Sequence, residues 1–295
     1  MRRRPVLWAA GALLALFAYD AVLRSALTGL VTLPLLLGGL KVLTVVLTLF
    51  SVGHAWYSLG GRLTTAFFVV SAAISWGYEQ AGVMTGLVFG AYHYTDYLGP
   101  KLGDVPLLIP LAWFMMIYPS FVIANMAIDG RSIGTARGAL RPAQLVRLAA
   151  ASAAVMTAWD LVIDPILSGP SARAWIWETG GPYFGIPVQN YLGWLLTTFT
   201  VYLVYLAVER KWATPLRPGL MPEAAGSSPA IGPLPARSAA AAALPVAAYA
   251  LMLAADLLSG VAPAGLALIG PVVMGAPVLL AAWRLCRVAG GWTMR

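Results

Sequence analysis

The chain has 295 residues, of which 60% are hydrophobic and 10% charged, and its net charge is +8. Soluble globular proteins carry about 25% charged residues, so the composition predicts an all-α integral membrane protein. The basic residues fall between apolar runs and not on one polar face, which argues against nucleic acid as a partner. The single cysteine, Cys286, excludes an internal disulfide and a cysteine-based metal site.

Eight apolar stretches are long enough for a helix that crosses a bilayer, which takes about 20 residues. They predict a polytopic helical bundle with spans at 6–23, 31–51, 63–79, 106–128, 144–163, 190–208, 240–258 and 264–285. The first stretch resembles a signal peptide, but no clear cleavage site follows it. We expect it to remain as the first helix.

The chain divides into three parts by composition. Residues 1–212 form a predicted six-helix core that holds the polar residues of interest. Residues 213–239 are rich in Pro, Gly, Ser and Ala and predict a flexible cytoplasmic linker. Residues 240–295 contain two plain Ala/Leu helices, interpreted as packing helices, and a basic C-terminus.

The basic residues predict the topology. With the N-terminus in the cytoplasm, the outer side receives only Arg24, Lys101 and Arg173 of the basic residues in the loops. This is the asymmetry of the positive-inside rule. We therefore expect an integral protein of a bacterial plasma membrane with both termini cytoplasmic. Most acids then lie at the outer helix ends, where they face a cavity or a partner.

A stretch at the third loop combines charge with aromatic rings: GLVFGAYHYTDYLGPKLGDVPLLIPLAW, residues 86–113. Within it a Val-Pro pair precedes Trp113, as an Ile-Pro pair precedes Trp194 at the same spacing. Each proline suits a helix start, and the tryptophan two turns later shares its face. The two segments are either related in architecture or simply start alike, with tryptophans at the interface.

Asp160 and Asp164 are the strongest candidates for catalytic residues. Residues four apart share a helix face, and Pro165 predicts that the helix ends at Asp164. Two close carboxylates titrate apart, which suits proton donation by one and water activation by the other. The structural alternative is that they bond loop backbone or pair with Arg173.

Aromatic residues surround these acids, and aromatic faces stabilise cations. An aromatic belt at the headgroups is the alternative, but it does not explain the paired acids. The catalytic candidates are Asp160, Asp164, Glu79, Asp96 and Glu178; the candidates for substrate binding are Trp76, Tyr78, His93, Tyr94, Trp113, Trp159, Trp177, Tyr183, Asn190 and Trp194. The two histidines, His54 and His93, are too few and scattered for a histidine-rich metal site, so we predict no metal. We interpret His54 as interfacial.

The segments FGAYHYTDYLGPKLGDVPLLIPLAW, AWDLVIDP and WIWETGGPYFGIPVQNYLGW resemble the CruF-type carotenoid biosynthesis membrane proteins, the carotenoid hydratases. The resemblance covers roughly residues 50–212. It implies addition of water to the terminal double bond of an acyclic carotenoid, without a cofactor. The implied partners are lycopene or a related C40 or C50 polyene, the lipid bilayer and other carotenoid-pathway enzymes.

Three other functions fit parts of the sequence. The Asp160–Asp164 pair is reminiscent of UbiA-type prenyltransferases, although their second Asp-rich motif is missing here. A transporter fits the half-helix-like loops and Lys41, which lies inside a predicted span. A carotenoid cyclase would use the same protonation but form a ring without adding water.

Overall fold

The computed structural model describes residues 4–129, 141–212 and 236–289. In these ranges the helices are α1 (Arg4–Ala26, with a π-helical turn at Ala18–Leu23), α2 (Gly39–Leu59), α3 (Gly61–Thr85), α4 (Leu108–Asp129), α5 (Pro142–Leu167), α6 (Val188–Trp212), α7 (Ala236–Leu258), α8 (Leu266–Val273) and α9 (Gly275–Ala289). Most of the predicted linker, 213–239, lies outside the described residues, as do both chain termini. The helices pack around a core of buried aromatic and aliphatic side chains.

Seven helical segments of the described ranges are long and apolar enough to cross a membrane. They are Arg4–Ala26, Gly39–Leu59, Leu108–Ile128, Pro142–Leu167, Val188–Trp212, Ala239–Leu258 and Leu266–Arg287. The predicted all-α membrane fold is therefore confirmed. The predicted span 63–79 is helix α3, which is 25 residues long but is not among the seven. Polar side chains, including Ser71, Ser75 and Glu79, are buried along it.

The second predicted span begins too early in the sequence. Residues 31–38 are irregular, and α2 begins at Gly39. Pro34 lies in this segment, and the N–H groups of Leu36 and Leu37 bond to the carboxylate of Asp20 instead of to a helix. An apolar run alone therefore did not define the helix start.

Pro119, Pro165 and Pro245 each lie inside a membrane helix, and each frees a carbonyl oxygen four residues earlier. In each case a side chain from another part of the chain donates to that oxygen. Ser51 Oγ donates to Met115 O, Tyr183 Oη to Leu161 O and His54 Nε2 to Ala241 O, each at 2.8 Å. Backbone groups in a membrane need such internal partners. These bonds tie α2 to α4 and to α7, and they tie the loop before α6 to α5.

Two predictions near these prolines need correction. Pro165 does not end α5, which continues to Leu167, because the Tyr183 phenol satisfies the carbonyl that Pro165 frees. His54 is not interfacial but buried, and it links α2 to α7. Its Nδ1 also lies 2.7 Å from Tyr118 Oη.

The loops at one end of the bundle contain two small sheets. Strand β1 (Tyr92–Tyr94) pairs antiparallel with β4 (Trp175–Trp177), and β2 (Lys101–Leu102) pairs antiparallel with β3 (Val105–Pro106). The β1–β4 pair joins the loop after α3 to the loop after α5. It covers the end of the bundle where the polar residues meet.

Candidate active site

A cavity of about 270 Å³ lies beneath the β1–β4 pair. Its wall contains the ends of α1, α3, α5 and α7 and the beginnings of α2, α4 and α6, which fits helices that alternate in direction. Most of the lining is apolar or aromatic. Its charged side chains are Asp20, Arg24, Glu79, Asp164 and Asp256.

Glu79 is buried near the end of α3 and accepts three hydrogen bonds. Oε1 accepts the indole N–H of Trp113 at 3.0 Å. Oε2 accepts the hydroxyls of Tyr92 at 2.5 Å and Tyr94 at 2.8 Å. Burial is the largest cause that raises the pKa of both phenols well above the usual tyrosine value, and the charge of the neighbouring Glu79 is the second. Both phenols therefore stay protonated and donate.

The register of β1 explains which residues of this strand reach Glu79. Alternate residues of a strand face opposite sides, so Tyr92 and Tyr94 are buried whereas His93 is exposed. Trp177 lies opposite Tyr92 and Trp175 opposite Tyr94. The two tyrosines and the two tryptophans line the cavity together.

Asp160 and Asp164 meet at one amide, as their spacing predicts. Asn190 Nδ2 donates to Asp160 Oδ2 at 2.8 Å and to Asp164 Oδ2 at 2.7 Å. Asp164 Oδ1 accepts the indole N–H groups of Trp175 at 2.8 Å and Trp177 at 3.3 Å. Asp164 and Asn190 line the cavity, whereas Asp160 lies behind them and its Oδ1 has no partner in the described ranges.

Stacked tryptophans form the wall beside these acids. Trp113 and Trp194 stack with ring centroids 4.0 Å apart and planes 12° apart, and Trp159 meets Trp194 edge-on at 6.0 Å. The two proline-to-tryptophan segments of the sequence thus bring their tryptophans face to face. Their π faces give the cavity a surface that attracts cations.

Several predicted site residues lie away from the cavity. Asp96 is fully exposed, 3.7 Å from Lys101, and Glu178 pairs with His93 at 3.2 Å on the outer face of the β1–β4 pair. Trp76 bonds to Leu102 O, Tyr78 lies 3.4 Å from Thr200 Oγ1, and Tyr183 bonds to Leu161 O. Apart from Asp160, which lies behind the wall, the remaining predicted side chains line the cavity, namely Glu79, Tyr94, Trp113, Trp159, Asp164, Trp177, Asn190 and Trp194.

The wall also contains residues that the sequence did not single out as site residues. Tyr92 and Trp175 lie two residues from the predicted Tyr94 and Trp177, on the same faces of β1 and β4, but the sequence does not show that these strands pair. Asp256 lies on α7, so the wall extends beyond the predicted core of residues 1–212. Its position among acids at the outer helix ends was the available signal.

Comparison with known proteins gives a family match over most of the chain. A model of the family described as carotenoid biosynthesis protein matches residues 39–281. The match includes the three resembling segments and continues through α7 and α8 into α9.

The chain also resembles a curated protein, bisanhydrobacterioruberin hydratase of Haloarcula japonica. The two are 32% identical over 150 residues, which are 50% of this chain and 47% of the relative. The chain thus spans about half the length of that relative. No solved structure matches the chain.

Proposed function

The chain belongs to the carotenoid biosynthesis protein family, and we propose that it is a carotenoid hydratase. In this proposal it adds water across the terminal double bond of an acyclic carotenoid and forms a tertiary alcohol. The similar hydratase, which aligns with half of this chain, supports this reaction type. The resemblance found in the sequence is confirmed at the level of the family.

The proposal depends on one observation: carboxylates and aromatic rings together line a mostly apolar cavity. A volume of about 270 Å³ is just below the usual range for small-molecule pockets, about 300–1,000 Å³. The cavity suits the end group of a polyene, so the rest of the polyene would lie outside the cavity. The bilayer is the solvent from which such a substrate would enter.

The reaction consists of two balanced steps. A carboxyl group donates a proton to the less substituted alkene carbon, which leaves a carboxylate and a tertiary carbocation. Water then adds to the cationic carbon and loses a proton to a carboxylate. The sum is alkene plus water to alcohol, which requires no electron acceptor or donor.

The described residues match the needs of the cation. Glu79 and Asp164 face the cavity, and the N–H and O–H donors around them hold their oxygens in place. A fixed anionic oxygen stabilises positive charge that develops in the transition state. Trp113 and Trp194 offer stacked rings to the same charge. Asp164 is also our candidate for the base that takes the proton from water.

Expression in a host that accumulates lycopene tests the reaction. We expect a hydroxylated product whose oxygen comes from labelled water and not from labelled oxygen gas. In heavy water, one deuterium should appear on the neighbouring carbon. Oxygen from the gas would instead indicate a hydroxylase, and a product without added oxygen would indicate a cyclase or a transporter.

Asp160→Asn and Asp164→Asn test the paired acids. General acid–base groups contribute about 10²–10⁴-fold to a rate, so we expect Asp164→Asn to lose most activity while it still inserts. Asp160→Asn should also lose most activity, because Asp160 shares the Asn190 amide with Asp164 and helps to position it. Asp104→Asn is the matched control, since Asp104 is exposed and bonds Gln80 outside the cavity. Near-normal turnover by both well-expressed site variants would return the pair to a structural role.

A further inference from the structure

Helix α7 contributes an acid to the cavity that the proposed mechanism has not yet used. Met252, Ala255, Asp256 and Ser259 line the cavity at the end of this helix. The side chain of Asp256 is buried, with 6% of its residue surface exposed. A carboxyl group at such a position in a membrane helix indicates a function.

The hydrogen bonds distinguish Asp256 from the other carboxyl groups of the cavity in the described ranges. Both oxygens of Glu79 and of Asp164 accept hydrogen bonds from side chains. Both oxygens of Asp20 accept backbone N–H groups. Asp256 Oδ2 is buried and has no partner of ordinary hydrogen-bond geometry in the described ranges, although the Trp159 indole N–H lies beside this carboxyl group.

This difference matters for proton donation. The indole N–H groups of Trp113, Trp175 and Trp177 can only donate, so the oxygens that face them suit a carboxylate and not a carboxyl O–H. A proton donor needs an O–H directed at the substrate and not held by a protein acceptor. Asp256 lines the cavity, and in the described ranges its Oδ2 meets the second of these conditions, since no protein acceptor holds it.

Aromatic rings connect Asp256 to the fixed carboxylates. Asp256 lies beside the Trp159 indole, whose Nε1 also has no hydrogen-bond partner in the described ranges. Trp159 meets Trp194 edge-on, Trp194 stacks on Trp113, and Trp113 donates to Glu79. A cation formed next to Asp256 would therefore lie beside a series of aromatic rings, the last of which, Trp113, donates a hydrogen bond to the Glu79 carboxylate.

We propose that Asp256 is the proton donor of the hydration, an inference that rests on the function proposed above. The O–H bond of Asp256 breaks, a C–H bond forms at the less substituted alkene carbon, and the carboxylate of Asp256 and the tertiary cation remain. Water adds to the cation, and its surplus proton goes to Asp164 and returns to Asp256 through solvent. Helix α7 is thereby a catalytic element and not only a packing helix.

Chemical rescue tests this role. In Asp256→Ala, we expect hydration to fall at least about 100-fold, with chain abundance and bound carotenoid unchanged. Added formic acid should restore part of the activity, because it can occupy the space of the missing carboxyl group. At constant total formate, rescue should increase as the pH is lowered, since the protonated form is the donor.

The other titratable groups around Asp256 require a correction in that pH series. They are Tyr249 on the same helix, and Asp20, Arg24, Glu79 and Asp164 across the cavity. The rescued hydration rate at each pH is therefore divided by the wild-type hydration rate measured at the same pH. Leu258→Met, on the same helix but exposed and outside the cavity wall, is the matched control and should retain activity within about twofold.

The outcomes separate this inference from the function on which it rests. If the wild-type protein adds no water, the proposed function fails. If the wild type hydrates and Asp256→Ala or the isosteric Asp256→Asn does so at a similar rate, Asp256 is not the donor. Rescue that follows the formate anion, or no rescue in a variant that still binds carotenoid, would also overturn the assignment.

Discussion

Replacing Asn190 with leucine should disconnect the two central acids. Its amide nitrogen donates to Asp160 at 2.8 Å and to Asp164 at 2.7 Å, and its side chain is buried. Leucine keeps a similar volume but removes both bonds. Asp164 retains the two indole donors, whereas Asp160 loses its one side-chain donor in the described ranges.

The magnitude follows from this asymmetry. A hydrogen bond to a charged group contributes about 1.5–3 kcal/mol, and an unsatisfied buried partner is more costly than removal of both partners. We therefore expect Asn190→Leu to lower the free energy of unfolding by about 2–3 kcal/mol. Asp160→Leu in the same chain should recover a large part of that loss. The coupling between the two substitutions should be at least about 1.5 kcal/mol.

Unfolding in detergent micelles, with hydration measured on the same preparations, provides the assay. Gln189→Leu is the matched control, since the neighbouring amide bonds to Gly86 O and Leu87 O on the exposed side. The coupling energy between Gln189→Leu and Asp160→Leu should be near zero. Additive effects of Asn190→Leu and Asp160→Leu, or an unchanged stability in the first, would refute the shared hydrogen bond.

Three further predictions concern the backbone and the topology. Reporter fusions after residue 135 should be cytoplasmic and those near residue 172 external, and the opposite result at both would reverse the side of the cavity. Residues 216–236 should be cleaved by protease from the cytoplasmic side, because Pro, Gly and Ser dominate their sequence; resistance in native membranes would contradict this. Gly193→Ala should destabilise the chain by about 1–3 kcal/mol, since its Cβ would lie 2.5 Å from Val88 O. Gly77→Ala, where nothing lies within 4 Å, should be neutral or stabilising in the same unfolding assay.

The fold was largely predictable because hydropathy dominates in membrane helices. Seven of the eight predicted stretches have counterparts among helices apolar enough to span a membrane. The misplaced boundaries lie where polar side chains satisfy backbone groups. Asp20 holds the irregular segment before α2, and Tyr183 allows α5 to continue through Pro165. Such contacts join residues distant in sequence, so periodicity alone does not indicate them.

The site was predictable where one element determined it. Helical spacing placed Asp160 and Asp164 together, and both meet Asn190. It was not predictable where two loops had to pair. The register of β1 against β4 turns Tyr92 and Tyr94 inward and His93 outward, and a shift of one residue would exchange these faces. Composition similarly gave no reason to separate Glu178 from the acids of the cavity.

The donors around the acids show how one end of a helical bundle can hold several carboxylates in an apolar setting. Each of Glu79 and Asp164 receives hydrogen bonds from residues on other elements: α4 and β1 for Glu79, and β4 and α6 for Asp164. A buried carboxylate is tolerated when its oxygens are satisfied in this way. The loops and helices that supply the donors therefore fix the position of charge in the cavity before a substrate enters. An apolar substrate contributes no hydrogen bonds of its own, so this arrangement must come entirely from the protein. The β1–β4 pair supplies donors to both carboxylates and is therefore part of this arrangement, together with the helices that bear the acids.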